Sequence, residues 1–159
     1  MPDHEIQLAR RREAPQLAAM SRRLVEAGLE PSWTVDRIER HVRHDDSVVA
    51  AARVRNQLAG FAIMQYGDTT AHLNLLAVEP AFRRLGIGRA LVQWLEKSAV
   101  VAGTFTVSLE LRADNAVAER FYESLGYREV GRIRGYYQRA EDAIRMRREL
   151  SVPSASQAR

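Results

Sequence analysis

Residues 83–89 read RRLGIGR: two glycines one residue apart, behind two arginines and ahead of a third. Where such a turn opens a helix, up to four backbone N–H groups lack a partner and carry partial positive charge. Glycines let an anion approach that backbone closely, and Arg83, Arg84 and Arg89 add full charges. The chemistry this suits is the holding of a phosphate; a plain turn into a helix uses the same residues. It is not a Walker loop, because no Gly-Lys-Ser/Thr ending is present. It is not the dinucleotide fingerprint either, because Leu91 stands where a third glycine would fall. Two further sets carry polar chemistry. Ser108, Glu110 and Arg112 alternate onto one face of an expected strand, where Glu110 either takes up a proton or pairs with an arginine. His72 and Asn74 share a face of an earlier strand, and a satisfied structural role suits His72 as well.

The elements that must position these residues follow from periodicity and punctuation. Residues 4–8 read as a strand. A helix is expected over residues 14–27, with Pro15 in its first turn, Leu17, Met20 and Leu24 on one face and Gly28 at its end. Thr34 caps a second helix with Val35, Ile38 and Val42 inward, and Trp33 packs onto it. Strands are expected over residues 47–55, 58–66 and 71–78, with turns at Asn56-Gln57 and Gly67-Asp68 and a stop at Pro80. The glycine turn opens a helix to residue 101, with Ile87, Leu91 and Leu95 on one face. A strand over 105–111 precedes a fourth helix, capped by Asp114 or Asn115, with Val117, Phe121 and Leu125 inward and Gly126 at its end. Strands over 128–133 and 143–150 close the chain around a loop at residues 135–142. The order is β-α-α-β-β-β-α-β-α-β-β. The helical crossover makes its flanking strands parallel neighbours.

Composition narrows the function classes. The 159 residues fit one domain over 1–150, with a disordered tail expected over 151–159, SVPSASQAR. The chain has no cysteine, which removes disulfides, a thiol nucleophile and cysteine-ligated zinc, and it suits a cytoplasmic location. Neither a signal peptide nor a membrane-length apolar run is visible. The formal charge of +4 comes from arginine, since Lys97 is the one lysine. The excess is mild and the arginines are interleaved with acids, which argues against a nucleic-acid-binding face.

The whole stretch LNLLAVEPAFRRLGIGRALVQWLEKSA resembles the GNAT superfamily of acetyl-CoA-dependent N-acetyltransferases. The family's Arg/Gln-x-x-Gly-x-Gly/Ala pattern stands as Arg83 to Gly88, behind Val78-Glu79-Pro80. A second block, LELRADNAVAERFYESLGYREVGRIRGYY, matches in order, followed by Glu141-Asp142-Ala143 and Met146. The resemblance spans about residues 47–150. It implies an α+β fold: one domain built on a mixed, mostly antiparallel sheet of six to seven strands with four helices.

The resemblance also implies roles. The amides of Leu85, Gly86, Ile87 and Gly88, with Arg83, Arg84 and Arg89, would hold the pyrophosphate of acetyl-CoA. The backbone of Leu76, Ala77 and Val78 would pair with the pantetheine arm, and the Val78 N–H would serve the acetyl oxygen. Asn115 would hold the arm near the thioester as well as cap its helix. Tyr122 would donate a proton to the leaving sulfur, and Glu110 would take one from the incoming ammonium. Acceptor-lining candidates are Trp33, His72, Asn74, Tyr136 and Tyr137, each of which has a packing role as its plain alternative. No metal is expected. Within the superfamily, LELRADN, FYESLGY and RGYY look closest to RimI-type enzymes, which acetylate the N-terminal amine of a ribosomal protein. The segment EPSWTVDRIERHV departs from that type, so a peptide N-terminus and a small-molecule amine both stand as acceptors. A homodimer is compatible with the family, and no DNA or membrane partner is expected. The rival reading is a non-catalytic module binding CoA or another phosphorylated ligand.

Overall fold

The computed structural model describes residues 4–137 and 141–150, so the expected tail lies outside the described residues. The strands are β1 (His4–Leu8), β2 (Ser47–Val54), β3 (Gln57–Tyr66), β4 (Thr70–Val78), β5 (Thr106–Arg112), β6 (Arg128–Tyr137) and β7 (Glu141–Glu149). The helices are α1 (Ala14–Leu24), α2 (Val35–Arg43), α3 (Ile87–Val101) and α4 (Ala116–Ser124). The expected order is therefore the observed one, with two short 3-10 turns added. The strands form a seven-stranded mixed sheet in the order β1-β2-β3-β4-β5-β7-β6. The one parallel pairing given by register is β4 with β5, joined through the α3 crossover, and it comprises Thr70–Thr106, Ala71–Val107 and His72–Ser108.

Contacts divide the described residues into two compact units, one running to Gln65 together with Leu73–Leu95, the other formed by Tyr66–His72 and the residues from Glu96 onward. In the first unit, Leu17 and Met20 of α1, Ile38 of α2, Val49 of β2 and Phe61 and Ile63 of β3 share one buried cluster. Strand β3 is buried on both faces from Leu58 to Met64, as a central strand covered on both sides must be. The Ile87, Leu91 and Leu95 stripe of α3 is also buried.

Helix α1 stops at Leu24, earlier than its composition suggested. The cause is the buried Glu26. Its carboxylate accepts from Ser21 Oγ at 2.9 Å, from the Trp33 N–H at 3.0 Å and from the Ser32 N–H. These bonds turn the chain back and anchor the α1–α2 connection. Thr34 then caps α2, accepting from the Arg37 N–H at 3.2 Å. The β2–β3 turn is Arg55-Asn56 rather than Asn56-Gln57. Both residues have positive φ, 51° and 67°, as a two-residue type I′ turn requires, and Gln57 already pairs with Val54.

In the second unit, the sheet's inner residues Val107, Leu109, Leu111, Ile144 and Met146 are buried together with Tyr122, Leu125 and Tyr127. Val117 is 72% exposed and does not join the inner face of α4. It stands in the first turn of a nine-residue helix, and the buried stripe is carried by Tyr122 and Leu125 further along. Gly135, Tyr136 and Tyr137 extend β6, and Glu141 and Asp142 begin β7, so the expected loop is largely strand. Its centre, residues 138–140, lies outside the described residues.

One glycine fixes the end of β4. A Cβ at Gly60 would lie 2.7 Å from the Ala77 carbonyl oxygen and 3.3 Å from the Val78 Cα. Real Cβ contacts with backbone are not that close, so β3 must carry glycine where it passes Ala77–Val78. Gly60→Ala is expected to destabilise the protein by about 1–3 kcal/mol, read as a drop of about 3–10 °C in Tm. An unchanged Tm would show that β4 moves away at little cost.

Candidate functional site

The turn before α3 passes twice through the left-handed region, at Arg84 (φ 66°) and Gly86 (φ 76°). Gly86 adopts this without penalty, whereas Arg84 carries backbone strain. The first bond of the helix runs from the Ala90 N–H to the Gly86 carbonyl at 2.9 Å. The N–H groups of Ile87, Gly88 and Arg89 therefore precede the helical ladder. Arg83, Arg84 and Arg89 are exposed beside them. Amide donors, dipole and guanidinium groups together fit a doubly charged diphosphate.

Strand β4 leads into this turn. Its residues alternate between half-buried and buried from Thr70 to Val78, so His72, Asn74, Leu76 and Val78 share one face. The register with β5 includes only the first three residues. Asn74 Nδ2 donates to Gln65 Oε1 at 3.4 Å. The Glu79 N–H bonds the Ala59 carbonyl at 2.8 Å, and the Glu79 carboxylate receives both Arg23 guanidinium nitrogens at 3.0 Å. The bend after β4 is thus tied back to β3 and α1.

The polar cluster of the second unit centres on Glu110, whose side chain is 7% exposed. Its Oε1 lies 2.6 Å from His72 Nε2 and accepts from the Tyr136 hydroxyl at 3.1 Å; its Oε2 accepts from Arg145 Nε at 3.1 Å. Arg145 is the residue directly opposite Glu110 in the β5–β7 register. Burial works to raise the Glu110 pKa. The bond and charge of His72, with the bonds from Arg145 and Tyr136, outweigh it and hold the carboxyl at about 2. Glu110 is thus a fixed negative charge at neutral pH and a weak proton acceptor. The Tyr136 and Tyr137 rings meet edge to face at 5.0 Å, and the Arg112 guanidinium lies 5.9 Å from the Tyr137 ring.

Tyr122 lies on the inner face of α4, 8% exposed, with its ring edge-on to Phe121 at 5.0 Å and to Tyr127 at 5.7 Å. Burial, with a smaller effect of Tyr137, pushes its pKa well above that of a free phenol. The hydroxyl therefore stays protonated at any working pH. Asn115 caps α4, its Oδ1 accepting from the Ala118 N–H at 3.0 Å, and its own side chain is thereby oriented.

Of the acceptor-lining candidates, the structure joins His72 and Tyr136 to Glu110. Asn74 is engaged with Gln65. Trp33 belongs to the core cluster of the first unit, with the Arg37 guanidinium 3.7 Å from its ring centroid and the His41 ring at 5.4 Å. Sequence reasoning missed Arg145, because pairing register across β5 and β7 is not written in local pattern. It also missed Glu26, whose carboxylate builds the loop before Trp33. Among the described residues, no group of three or more His, Asp or Glu side chains is disposed to hold a metal, and no helix is long and apolar enough to cross a membrane.

Comparison with known proteins places these features in context. The acetyltransferase (GNAT) family profile matches residues 14–127. The ribosomal protein bS18-alanine N-acetyltransferase of Salmonella typhimurium is 42% identical over 100 residues, covering 61% of this chain and 68% of that protein. The crystal structure of the ribosomal-protein-S18-alanine N-acetyltransferase from Escherichia coli superposes with a TM-score of 0.82 at 29% identity, over 96% of this chain and 97% of that one. The PaiA N-acetyltransferase of Thermoplasma acidophilum, solved in complex with coenzyme A, shares the fold with a TM-score of 0.76 at 17% identity, over 92% and 99% of the two chains.

The Glu110 cluster makes a pH-dependent contribution to stability. Its folded pKa of about 2 lies below the ordinary 4.5. The contribution is therefore complete above pH 4.5 and is lost as pH falls toward 2. Glu110→Gln is expected to be less stable than the wild type by on the order of 2 kcal/mol at pH 7. The gap should close between pH 4.5 and 2 in urea titrations. A gap independent of pH would show that packing, not charge, sustains the cluster.

Proposed function

The chain belongs to the GNAT acetyltransferase family and is an acyltransferase; from this premise we propose that it transfers the acetyl group of acetyl-CoA to the N-terminal α-amine of a protein. The observation that carries the donor half is the glycine turn, where three amides ahead of the α3 ladder stand among three exposed arginines. The likeness to alanine N-acetyltransferases supports the acceptor half. Family membership displaces the reading as a non-catalytic binding module.

Acetyl-CoA supplies an activated acetyl group and a thiolate leaving group. In this proposal the amides of Leu85 to Gly88 and the side chains of Arg83, Arg84 and Arg89 grip its diphosphate. The backbone of Leu76 to Val78, beyond the register shared by β4 and β5, pairs with the pantetheine arm, and Asn115 steadies that arm. The amine nitrogen attacks the carbonyl carbon while the carbon–sulfur bond breaks. The Val78 N–H donates to the acetyl oxygen as charge builds there. The Tyr122 hydroxyl donates to the departing sulfur. A phenol, with an ordinary pKa of about 10, is a weaker acid than a thiol at about 8.5. Tyr122 thus acts first as a hydrogen bond that strengthens as the sulfur gains charge; the proton it passes to the sulfur is restored to the hydroxyl from water, which receives the proton the amine gives up.

The amine arrives protonated and must lose a proton. Glu110, held near pKa 2, attracts the ammonium and orients His72 more readily than it retains a proton. The proton passes along this cluster to water. Holding both reactants in one geometry supplies much of the remaining acceleration.

Acetyl-CoA at about 100 times its Kd should raise Tm by about 5–10 °C, while ATP or NAD at equal concentration should not; no shift with acetyl-CoA would remove the donor assignment. With N-terminal peptides, mass spectrometry should find acetyl on the α-amine. Turnover of small amines but of no peptide would overturn the acceptor class. Tyr122→Phe should lower kcat about 10²-fold and leave acetyl-CoA affinity within about twofold. Full activity in that variant would end the role assigned to its hydroxyl.

A further inference from the structure

A second polar cluster, contained wholly in the second unit, takes no part in the transfer described above. Glu96 of α3 is buried, its side chain 9% exposed. The Tyr127 hydroxyl donates to its Oε2 at 2.8 Å, and Arg148 Nη1 of β7 donates to its Oε1 at 2.6 Å. Burial, and then the neighbouring Glu96, pushes the Tyr127 pKa well above that of a free phenol, so its hydroxyl remains a donor. One carboxylate thus ties together a helix, a strand and the residue that follows the turn after α4.

Such a cluster is a poor way to gain stability. Taking Glu96 and Arg148 out of water offsets most of their attraction, and apolar side chains of similar size would hold the same elements together at least as well. What a hydrogen bond adds is direction. Apolar contact is non-directional and lets a ring slide in its plane, whereas a hydrogen bond weakens steeply as its angle closes. The far end of Tyr127 is therefore pinned in a way that a phenylalanine ring would not be.

The residue against which this pinned ring lies is Tyr122. The two rings meet edge-on at 5.7 Å and 70°, and the Tyr127 N–H bonds the Tyr122 carbonyl at 3.0 Å. Ring and backbone of Tyr127 both bear on the last turn of α4. Gly126 makes the arrangement possible: its φ of 97° suits glycine, and a Cβ there would stand 3.0 Å from Arg148 Nε. Phe121, whose ring meets Tyr122 at 5.0 Å, is its neighbour on the same helix and gives no reference outside α4.

We infer that Tyr127, anchored by Glu96 and Arg148, is a positioning residue for Tyr122: it sets the ring, and so the direction in which the Tyr122 hydroxyl meets the departing sulfur. The inference rests on the role given above to that hydroxyl. The transfer step needs a donor held within about 10–20° of its productive direction, and a partner tied to two other elements supplies that hold.

Tyr127→Phe keeps the ring and removes the anchor. With saturating acetyl-CoA and an alanine-led hexapeptide, its kcat should fall about tenfold, while KM for acetyl-CoA stays within about twofold and Tm within about 3 °C. Introduced into Tyr122→Phe, the same change should cost less than about twofold, because the hydroxyl it positions is gone. An equal loss in both backgrounds would show that Tyr127 acts on something other than Tyr122 and would overturn the inference, as would an unchanged kcat in Tyr127→Phe; either result leaves the role of Tyr122 intact. Tyr122→Phe at full activity would instead end that role, and the inference with it. The wholly apolar variant combining Glu96→Leu, Tyr127→Phe and Arg148→Met should be at least as stable as the wild type and as slow as Tyr127→Phe. Wild-type kcat there would also overturn the inference. Fluorotyrosine in place of Tyr122 reads the ring without turnover. Its fluorine resonance should broaden or split on Tyr127→Phe, and an unchanged line would overturn the inference whatever the rates.

Discussion

Parallel pairing of β4 with β5 is the constraint on which the rest of the structure depends. Two parallel strands cannot be joined by a tight turn; the chain must return along the sheet before it can run in the same direction again. Here that return is α3. The N-terminus of a long helix is therefore placed within a few residues of the C-terminal end of β4. A pattern of unpartnered amides at a strand end follows from topology before any particular side chain is chosen. The glycine and arginines of residues 83–89 refine this: Gly86 lets the chain turn through φ 76°, and the guanidinium groups add charge to the dipole.

The polar side chains then divide by protonation state. Glu110 gathers three donors and is held ionised; Tyr122 is enclosed by rings and held neutral. In the proposed acyl transfer the negative charge of Glu110 would attract the ammonium and the neutral hydroxyl of Tyr122 would donate to the sulfur. Residue type already separates the two groups at neutral pH, an ordinary carboxyl titrating near 4.5 and a phenol near 10, and the surroundings push the two further apart. Charge partners on neighbouring strands act on Glu110, and burial among aromatic rings acts on Tyr122.

This separation explains what was legible in the sequence. The helix cap at Thr34, the apolar stripes of α1, α2 and α3, and the element order depend on residues close together in the chain, and they read correctly; of the two candidate caps for α4, Asp114 and Asn115, the structure uses Asn115. The glycine turn is local as well. What escaped notice depends on partners far apart. The Glu26 carboxylate ends α1 by reaching forward to Ser32 and Trp33. Arg145 reaches Glu110 through a strand register that no local pattern specifies. The Arg55-Asn56 turn was displaced by one residue because a type I′ turn needs two left-handed residues, and Arg55 accepts one of them under the pull of β2–β3 pairing. Val117 fits a helical stripe by spacing yet lies at the exposed start of a short helix.

On the proposed reading, donor and acceptor recognition use different kinds of groups. The donor side would draw first on backbone, the amides at the start of α3 and along β4, with the exposed Arg83, Arg84 and Arg89 beside them. The acceptor side would draw on side chains, Glu110 and His72 among them. A backbone site changes only with the fold, whereas a surface guanidinium can be exchanged with little effect on stability. One such exchange worth 1.4 kcal/mol in binding alters selectivity tenfold. On that reading, the choice of acceptor can change through exposed side chains while the backbone amides of the donor turn stay as they are.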